Sequence, residues 1–417
     1  MEEWKEYKLG DVAKLTTGFP FDGHKYSKEG IRVVRGDNVT IGSLRWDSDK
    51  DKRWSENFDR ASEFALSDGD IVIGMDGSRV GRNRAQVKQR DLPLLIAQRV
   101  ACVRHNKLST QQFLYYHIFS DRFEQYIKAV QTGTSIPHVS LKQIGDFPVI
   151  VPSIKTQQRI ASILSSLDDK IENNRRINEN LEQQAQALFK SWFVDFEPFK
   201  DGEFVESELG MIPKGWRVER IENLAQKMAS GGTPKSLNKD YYSGDIKWFS
   251  TKELKDCFLF DSEKHISEDA LNNSSAKMFP EGTVLMAIYA APTVGRLGIL
   301  TNPATFNQAA VGIVPKENVG SEFIYMSLLS ERTNLNNLAS GAAQQNLNVG
   351  IVKNYNVLVP EQKVLDEFNR IAKSYFLLLK KNTKESRRLA ELRDTLLPRL
   401  MSGELKVENV RLYKIEK

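Results

Sequence analysis

The stretch GDIVIGMDGSRVGR, residues 69–82, returns in altered form as GTVLMAIYAAPTVGR, residues 282–296. Both copies run from Gly through a strand-like apolar segment to Val-Gly-Arg. A Trp-led segment precedes each copy, and a predicted helix that opens with Phe-Leu-Tyr or Phe-Ile-Tyr follows it. A repeat this long indicates a duplicated domain, because solenoid units repeat every ~20–50 residues. A duplicated protein presents two similar but non-identical surfaces, which suits a partner with two sites.

The composition is that of an ordinary globular protein. The chain has 417 residues, 40% apolar and 27% charged, with a net charge of +5, and this length predicts two or three domains of roughly 100–200 residues each. No run of about 18 apolar residues predicts a membrane span, and the polar N-terminus does not look like a secretory signal. Cys102 and Cys257 are too far apart to suggest a disulfide framework or zinc site. We therefore expect a cytoplasmic protein.

Changes in sequence character divide the chain into four segments. Residues 1–152 alternate short β-like runs with one predicted helix near residues 110–129, as in a mixed α/β domain. Residues 153–202 form a long helix and a connector. A second mixed domain covers 203–360, and a second long helix with a tail covers 361–417.

Both long helices carry a heptad-like seam. Residues 157–192 contain neither Gly nor Pro, and apolar residues recur in steps of three and four. A helix of roughly 36 residues is about 54 Å long and seldom stands alone, so we expect the second long helix to pair with it and to end at Pro398. The predicted seam residues are Leu164, Leu167, Ile171, Asn174, Leu181 and Leu188 in the first helix and Tyr375, Leu379, Asn382, Leu389 and Leu396 in the second.

Asn174 and Asn382 occupy equivalent positions near the middle of the two helices. If the helices pair antiparallel about a pseudo-two-fold axis, these residues must meet. A buried Asn pair costs stability but fixes the register of a coiled coil. The alternative is that both are partly solvated residues at the edge of the seam.

The stretch SSLDDKIENNRRINENLEQQAQALFKSWFVDFEPF, residues 165–199, closely resembles the central conserved region of specificity subunits of type I restriction–modification systems. LGMIPKGW, residues 209–216, and LLPRLMSGEL, residues 396–405, are also typical of that family. The resemblance implies an α+β fold. Two mixed α/β target-recognition domains in a pseudo-two-fold repeat would be separated by two long helices that form an antiparallel coiled coil.

The resemblance also implies a function without catalysis. Each target-recognition domain would recognise half of a bipartite, asymmetric, gapped site in double-stranded DNA. Two modification (methyltransferase) subunits would dock on the chain and bring S-adenosylmethionine, and restriction subunits would bring ATP and Mg. The chain itself would bind no cofactor and no metal.

The sequence lacks methyltransferase and nucleotide-binding motifs, in agreement with this expectation. An adenine methyltransferase would need an Asn/Asp-Pro-Pro-Tyr/Phe motif, and the nearest approach is Asn302-Pro-Ala-Thr305. No G-x-x-x-x-G-K-[ST] phosphate loop is present. These absences argue against a fused restriction–modification enzyme and leave one alternative open, a coiled-coil scaffold protein with duplicated protein-binding domains.

Several loops carry side chains that suit contacts with phosphates and base edges. The first choice is the Arg-rich loop 79–90, whose alternative role is that of a solvated charged face. Two loops that open with Gly lie at the same place in the repeat, just before the Val-Pro strand. The predicted DNA-binding residues are Lys25, Arg79, Arg82, Asn83, Arg84, Gln86, Thr134, Ser135 and His138 in the first domain and Lys235, Asn238, Arg296, Gln344, Gln345 and Asn346 in the second. Because the two sets differ, the two half-sites should differ in sequence.

An aromatic run at the end of the first long helix is a candidate docking face for a modification subunit. Its residues are Trp192, Phe193 and Phe196. The alternative is that the run caps the coiled coil against the protein's own domains.

Overall fold

The computed structural model describes residues 4–56, 60–133, 135–289, 292–339 and 346–409. The predicted DNA-binding residues Thr134, Gln344 and Gln345 lie outside these ranges. The chain forms two compact units. Unit 1 consists of residues 1–170 and 388–417, and unit 2 of residues 171–387. Each unit contains one copy of the repeat and part of each long helix, whereas the bounds of the four segments expected from the sequence stay a prediction.

Unit 1 is a mixed α/β unit built from short strands. Its strands are β1 (Lys5–Lys8), β2 (Ala13–Thr17), β3 (Ile31–Val34), β4 (Arg53–Trp54), β5 (Ile71–Gly74), β6 (Arg84–Gln86), β7 (Leu94–Ile96), β8 (Val100–His105) and β9 (Pro148–Val151). Its helices are α1 (Leu9–Val12), α2 (Gln111–Ile118), α3 (Asp121–Val130), α4 (Leu141–Gly145) and the first part of α5 (Ile154–Phe193).

Unit 2 repeats this order after a hairpin. Its strands are the hairpin β10 (Phe204–Ser207) and β11 (Gly210–Pro213), then β12 (Arg217–Arg220), β13 (Ala225–Ser230), β14 (Ile246–Phe249), β15 (Cys257–Leu259), β16 (Lys264–Ile266), β17 (Val284–Ala287), β18 (Leu297–Leu300), β19 (Thr305–Phe306), β20 (Ala310–Pro315) and β21 (Asn356–Val359). Its helices are α6 (Ile221–Leu224), α7 (Glu268–Asn272), α8 (Ser321–Ser330), α9 (Arg332–Asn337), α10 (Val349–Asn354) and the first part of α11 (Gln362–Met401).

The sheets of the two units have the same topology, which confirms the duplication. In unit 1 the strand orders are β1-β9, β2-β8-β5-β6 and β4-β3-β7. In unit 2 they are β12-β21, β13-β20-β17-β18-β15 and β16-β14-β19. The directions agree as well, since β3–β7 and β14–β19 are parallel pairs while β2–β8 and β13–β20 are antiparallel. Besides the hairpin of β10 and β11, unit 2 adds the strand β15, parallel to β18.

The apolar alternation that revealed the repeat also builds its core. β5 and β17 are the middle strands of their sheets and are buried on both faces. Phe113 of α2 and Phe323 of α8 are fully buried at the same place in the repeat. Burial of one such aromatic side chain contributes about 1.5–3 kcal/mol.

The two long helices run antiparallel in each unit. In unit 2, the ring of Phe189 near the end of α5 lies 5.8 Å from that of Phe368 near the start of α11. In unit 1, Asp168 of α5 accepts a hydrogen bond from Arg393 of α11 at 2.7 Å. All predicted seam residues are buried or half-buried.

The buried row of α5 departs from the heptad after Ala185. The sequence pattern continues to Leu188 and Trp192, but the more deeply buried residues are Phe189 and Phe193, 7% and 6% exposed. Because the buried residues recur every four positions, they face the core of unit 2, where the rings of Phe189 and Phe193 both contact Phe323. The sequence pattern therefore missed two core residues, because the end of the helix packs on a domain as well as on a helix.

Asn174 and Asn382 are both buried and in contact, 1% and 7% exposed. Asn174 Nδ2 donates to Glu385 Oε2 at 2.8 Å, to Ser386 Oγ at 3.3 Å and to the carbonyl of Asn382 at 3.5 Å. Asn382 Nδ2 in turn donates to Asn178 Oδ1 at 3.0 Å. The two residues meet as expected, and the partly solvated alternative is wrong.

Two helix predictions need correction. The single helix expected near residues 110–129 is two helices, because Ser120 accepts the backbone N–H of Phe123 and caps α3. The second long helix does not end at Pro398 but continues to Met401. In the last turn a proline costs only one backbone hydrogen bond, so the helix can continue past it.

Among the described residues, no helix is both long and apolar enough to cross a membrane.

Candidate nucleic-acid interface

A groove of about 740 Å³ opens on the surface of unit 1. Five separate segments of the chain line it, at residues 19–26, 35–45, 76–83, 97–99 and 136. The lining residues whose side chains can donate hydrogen bonds to phosphates or base edges include Arg35, Arg45, Arg79, Asn83, Gln98 and Arg99. Four Arg face only two carboxylates, those of Asp37 and Asp76. A positively charged cleft of this kind attracts an anionic backbone.

Backbone hydrogen bonds hold the turns that form the groove. Met75 N–H donates to the carbonyl of Arg99 at 3.1 Å, and Val139 N–H donates to the carbonyl of Met75 at 2.9 Å. Gly77 N–H donates to the carbonyl of Pro137 at 3.0 Å. The loop that ends at Val139 is thereby tied to the end of β5.

Asp76 links the side chains of His138 and Arg99 at the edge of the groove. His138 Nδ1 donates to Asp76 Oδ1, and Arg99 Nη1 lies 3.3 Å from Asp76 Oδ2. The side chain of Asp76 is 28% exposed and that of Arg99 is 61% exposed. Asp76 is thus the anchored end of the pair, and the Arg99 guanidinium extends into solvent.

An aromatic ring supports a further Arg in the groove. The Arg35 guanidinium lies 5.7 Å from the centroid of the Tyr26 ring, within the range of a cation–π contact. Burial raises the pKa of Tyr26, so its hydroxyl remains protonated and keeps a proton to donate. Neither Arg35 nor Arg45 was a predicted DNA-binding residue, since isolated Arg residues give no local sequence signal.

The structure separates the residues of the predicted Arg-rich loop. Arg79 and Asn83 line the groove. Arg82 is exposed, but its Nε lies 3.2 Å from Glu124 Oε1 of α3. Gln86 donates to the carbonyl of Gly69 at 3.4 Å and accepts from Lys88 at 2.7 Å.

Arg84 and Gln86 lie in strand β6 and not in a loop, so that part of the loop prediction is wrong. The strand forms because Arg84 pairs with Ile73 in the sheet. Its side chain is buried, and its Nη1 donates to the carbonyl of Gly81 at 3.0 Å. Burial lowers the pKa of the guanidinium, and its place between Phe119 and Phe123 points to a structural role.

The other predicted residues of unit 1 occupy the surface. Lys25 forms an exposed ion pair with Glu56 at 3.2 Å. Ser135 is exposed in the loop that His138 closes. Their contacts with DNA stay a prediction.

Unit 2 presents different side chains on an equivalent frame. Ile288 N–H donates to the carbonyl of Ala309 at 2.8 Å, and Leu347 N–H donates to the carbonyl of Ile288 at 2.9 Å. These bonds repeat those around Met75, so the described end of the second predicted Gly loop lies at the same place in the repeat as the end of the first. Asn346, half-buried, therefore corresponds to His138.

The remaining predicted residues of unit 2 lie in two regions. Lys235 is exposed, and Asn238 caps a short 3₁₀ turn by accepting the N–H of Asp240 at 3.2 Å. Arg296 is half-buried just before β18. Thr233, in the same loop as Lys235, donates its hydroxyl to Gln308 Oε1.

The aromatic run packs into the core of unit 2. Phe193 is 6% exposed and contacts Phe323 and Phe368. Trp192 and Phe196 are partly buried against the same cluster. This placement agrees with the capping alternative, and docking of a modification subunit on this face stays a prediction.

The described residues contain no cluster of His, Cys, Asp and Glu that could hold a metal ion. Burial raises the pKa of Cys102 to about 12 and also raises that of Cys257. Both thiols are therefore protonated near neutral pH, which is the inert form.

The repeated α/β fold and the basic groove define a duplicated two-domain protein with a surface suited to a polyanion. A family model, the type I restriction modification DNA specificity domain, matches residues 1–183 and 213–391. The chain belongs to this family, as the resemblance in its central region indicated.

Curated relatives and a solved structure agree with the family match. The chain is 27% identical to the HindI specificity subunit of Haemophilus influenzae, with 97% of this chain and 100% of the relative covered. It is 31% identical to the MjaIX specificity subunit of Methanocaldococcus jannaschii, covering 72% and 70%. The type I restriction–modification S subunit of M. genitalium shares the fold, with a TM-score of 0.64, 16% identity and 96% of each chain covered.

Proposed function

We propose that this chain is the DNA sequence-specificity subunit of a type I restriction–modification complex. It recognises a bipartite, asymmetric, gapped site in double-stranded DNA and positions methyltransferase and restriction subunits there, without catalysis of its own. S-adenosylmethionine, ATP and Mg are bound by those partner subunits, and the complex acts in the cytoplasm.

One observation carries this proposal: the same backbone frame occurs twice and holds different polar side chains. The peptide bonds around Met75 and around Ile288 make equivalent hydrogen bonds. The side chains on the first frame include Arg99 and His138, whereas Ala309 and Asn346 stand in their places. Two similar frames with different contact groups suit two half-sites of different sequence.

The charges of the groove suit the phosphate backbone. Arg35, Arg45 and Arg79 line one cleft of unit 1. Each phosphate neutralised releases counterions, so affinity for DNA should fall steeply as salt rises. Phosphate contacts would position the protein, and contacts to base edges would provide the specificity.

In this proposal the paired helices set the gap between the half-sites. Inserting one heptad into both helices adds about 10 Å, which corresponds to about three base pairs of DNA. Methylome sequencing of a host that expresses the chain with its modification subunits should show a gap longer by about that number, with unchanged bases in both half-sites.

A heptad inserted into only one helix is the matched control, because it breaks the pairing of Asn174 with the second helix and should abolish methylation. Changed bases with an unchanged gap would refute the spacer role. A chain that methylates or cleaves DNA without partner subunits would refute the absence of catalysis.

A further inference from the structure

We propose that Arg99 contacts a guanine in the half-site recognised by unit 1, and that Asp76 is the positioning residue that holds it. This inference rests on the proposed function and adds a base and the residue that selects it. Arg99 was not among the predicted contact residues. The argument depends on its carboxylate partner, its exposure and its counterpart in unit 2.

The backbone places Arg99 at the edge of the groove. Its carbonyl accepts the N–H of Met75 at 3.1 Å, which fixes the turn between β7 and β8 against the end of β5. Gln98 and Arg99 are both exposed in this turn. The side chain therefore starts from a rigid point and reaches into open space.

Asp76 restricts the free end of that side chain. Arg99 Nη1 lies 3.3 Å from Asp76 Oδ2, and the other carboxylate oxygen is bound by His138. His138 is in turn fixed by reciprocal backbone hydrogen bonds with Thr132, at 2.7 and 2.8 Å. Asp76 thus cannot follow a moving Arg, and the guanidinium is held near one orientation.

Such an Arg suits guanine more than it suits a phosphate. A guanidinium has five N–H donors, so one contact with Asp76 leaves donors for the O6 and N7 acceptors of guanine. A guanidinium held before binding loses less conformational entropy when the complex forms. The negative charge of Asp76 would weaken a contact with an anionic phosphate more than a contact with an uncharged base.

Unit 2 lacks all three side chains at this place. The equivalent hydrogen bonds put Ala309 where Arg99 lies and Asn346 where His138 lies. Tyr289, which follows Ile288 as Asp76 follows Met75, is 39% exposed. The proposed contact therefore distinguishes the two half-sites, and only one half should depend on it.

The test uses the full chain expressed with its modification subunits, and it reads the target by methylome sequencing. The wild-type complex should methylate a gapped site with a G·C pair in one half. Arg99→Ala should reduce discrimination at that pair by about 10- to 100-fold and leave the other half unchanged. Asp76→Asn should give a smaller loss at the same pair. Arg99→Lys should restore it only in part, because an ammonium lacks the planar guanidinium fork that Asp76 orients.

Replacement of that guanine by 7-deazaguanine in a synthetic duplex separates contact from structure, since it removes only the N7 acceptor. Wild-type binding should weaken, whereas the Arg99→Ala complex should be insensitive to the replacement. Arg60→Ala is the matched control, because Arg60 is an exposed Arg paired with Glu63 and does not line the groove.

The outcomes separate the two proposals. A wild-type complex that methylates no gapped site would overturn the proposed function. A gapped site with unchanged base preference in Arg99→Ala, or a target in which the only half affected contains no G·C pair, would overturn the role of Arg99 alone. If a variant still methylates sites with the unchanged sequence in the other half-site, that variant has folded.

Discussion

The two copies of the repeat agree in their backbone and differ in the side chains that point outward from it. Gly74 N–H donates to the carbonyl of Asn83, and Ala287 N–H donates to the carbonyl of Arg296, both at 2.9 Å. The tight turn before each of these carbonyls contains a Gly with positive φ, Gly81 at 82° and Gly295 at 81°, because L side chains are strained there. The frame is thus the conserved part of the duplication, and the surface side chains are the variable part.

The difference also reaches into the core. Asp70 is 3% exposed and accepts two hydrogen bonds of 2.6 Å from Arg104. The sheet register puts Thr283 and Val314 at the corresponding positions of unit 2. An ion pair with a buried carboxylate and a 38% exposed guanidinium therefore stands where unit 2 has an uncharged pair.

The largest expected effect tests whether the two frames are equally necessary. Phe113→Ala and Phe323→Ala each remove a fully buried ring, and each should lower the free energy of unfolding of its own unit by about 3–5 kcal/mol. Denaturant unfolding followed by hydrogen exchange assigns the loss to a unit. If only one of the two variants lost stability, the two cores would not be equivalent.

The next effect concerns the ion pair of Asp70 and Arg104. Arg104→Val introduces the residue type that unit 2 has at this position. It should lower the free energy of unfolding by about 3 kcal/mol, because it leaves the carboxylate of Asp70 buried without its cation. Adding Asp70→Thr should restore most of the loss, since the double variant reproduces the uncharged pair. Thermal unfolding of the three variants gives the coupling energy, and a double variant no more stable than Arg104→Val would contradict the equivalence.

The smallest effect near neutral pH is a pH dependence confined to unit 1. Burial lowers the pKa of His117 from 6.5 to about 3, so between these values the unfolded state binds the proton and the folded state does not. The contribution of His117 is full above pH 6.5 and falls by about 1.4 kcal/mol for each pH unit below it. Ser327 lies at the same place in α8 and does not titrate.

Replacement of His117 by Ser should therefore flatten the pH dependence of unit 1, whatever it does to stability at neutral pH. Denaturant unfolding between pH 4 and pH 7 measures the slope. An equal slope in His117→Ser would show that other groups cause the loss at low pH.

The sequence predicted the fold well because a duplication doubles every signal. The Val-Gly-Arg turns, the strands before them and the paired helices were each visible twice. Predictions failed where one local contact decided the outcome. Ser120 divides one expected helix by capping α3, and Pro398 sits so late in α11 that it does not end the helix.

The candidate site was less predictable than the fold. The groove joins Arg35, Arg99 and Asn83, which come from distant segments, and no spacing rule connects them. Composition drew attention to the Arg-rich loop, yet Arg84 from that loop is buried in a strand. Whether an Arg contacts a ligand or packs under a sheet depends on strand pairing, which the local sequence does not specify.

The amide network around Asn174 has a consequence for inheritance. Its donors and acceptors are divided between α5 and α11, so neither helix satisfies them alone. If recombination between related genes replaced one helix, buried amides would lose partners at about 1–3 kcal/mol each. Exchanges that transfer only a groove-bearing segment leave these amide contacts intact. New binding preferences should therefore spread by exchange of whole domains, while the two helices are inherited together.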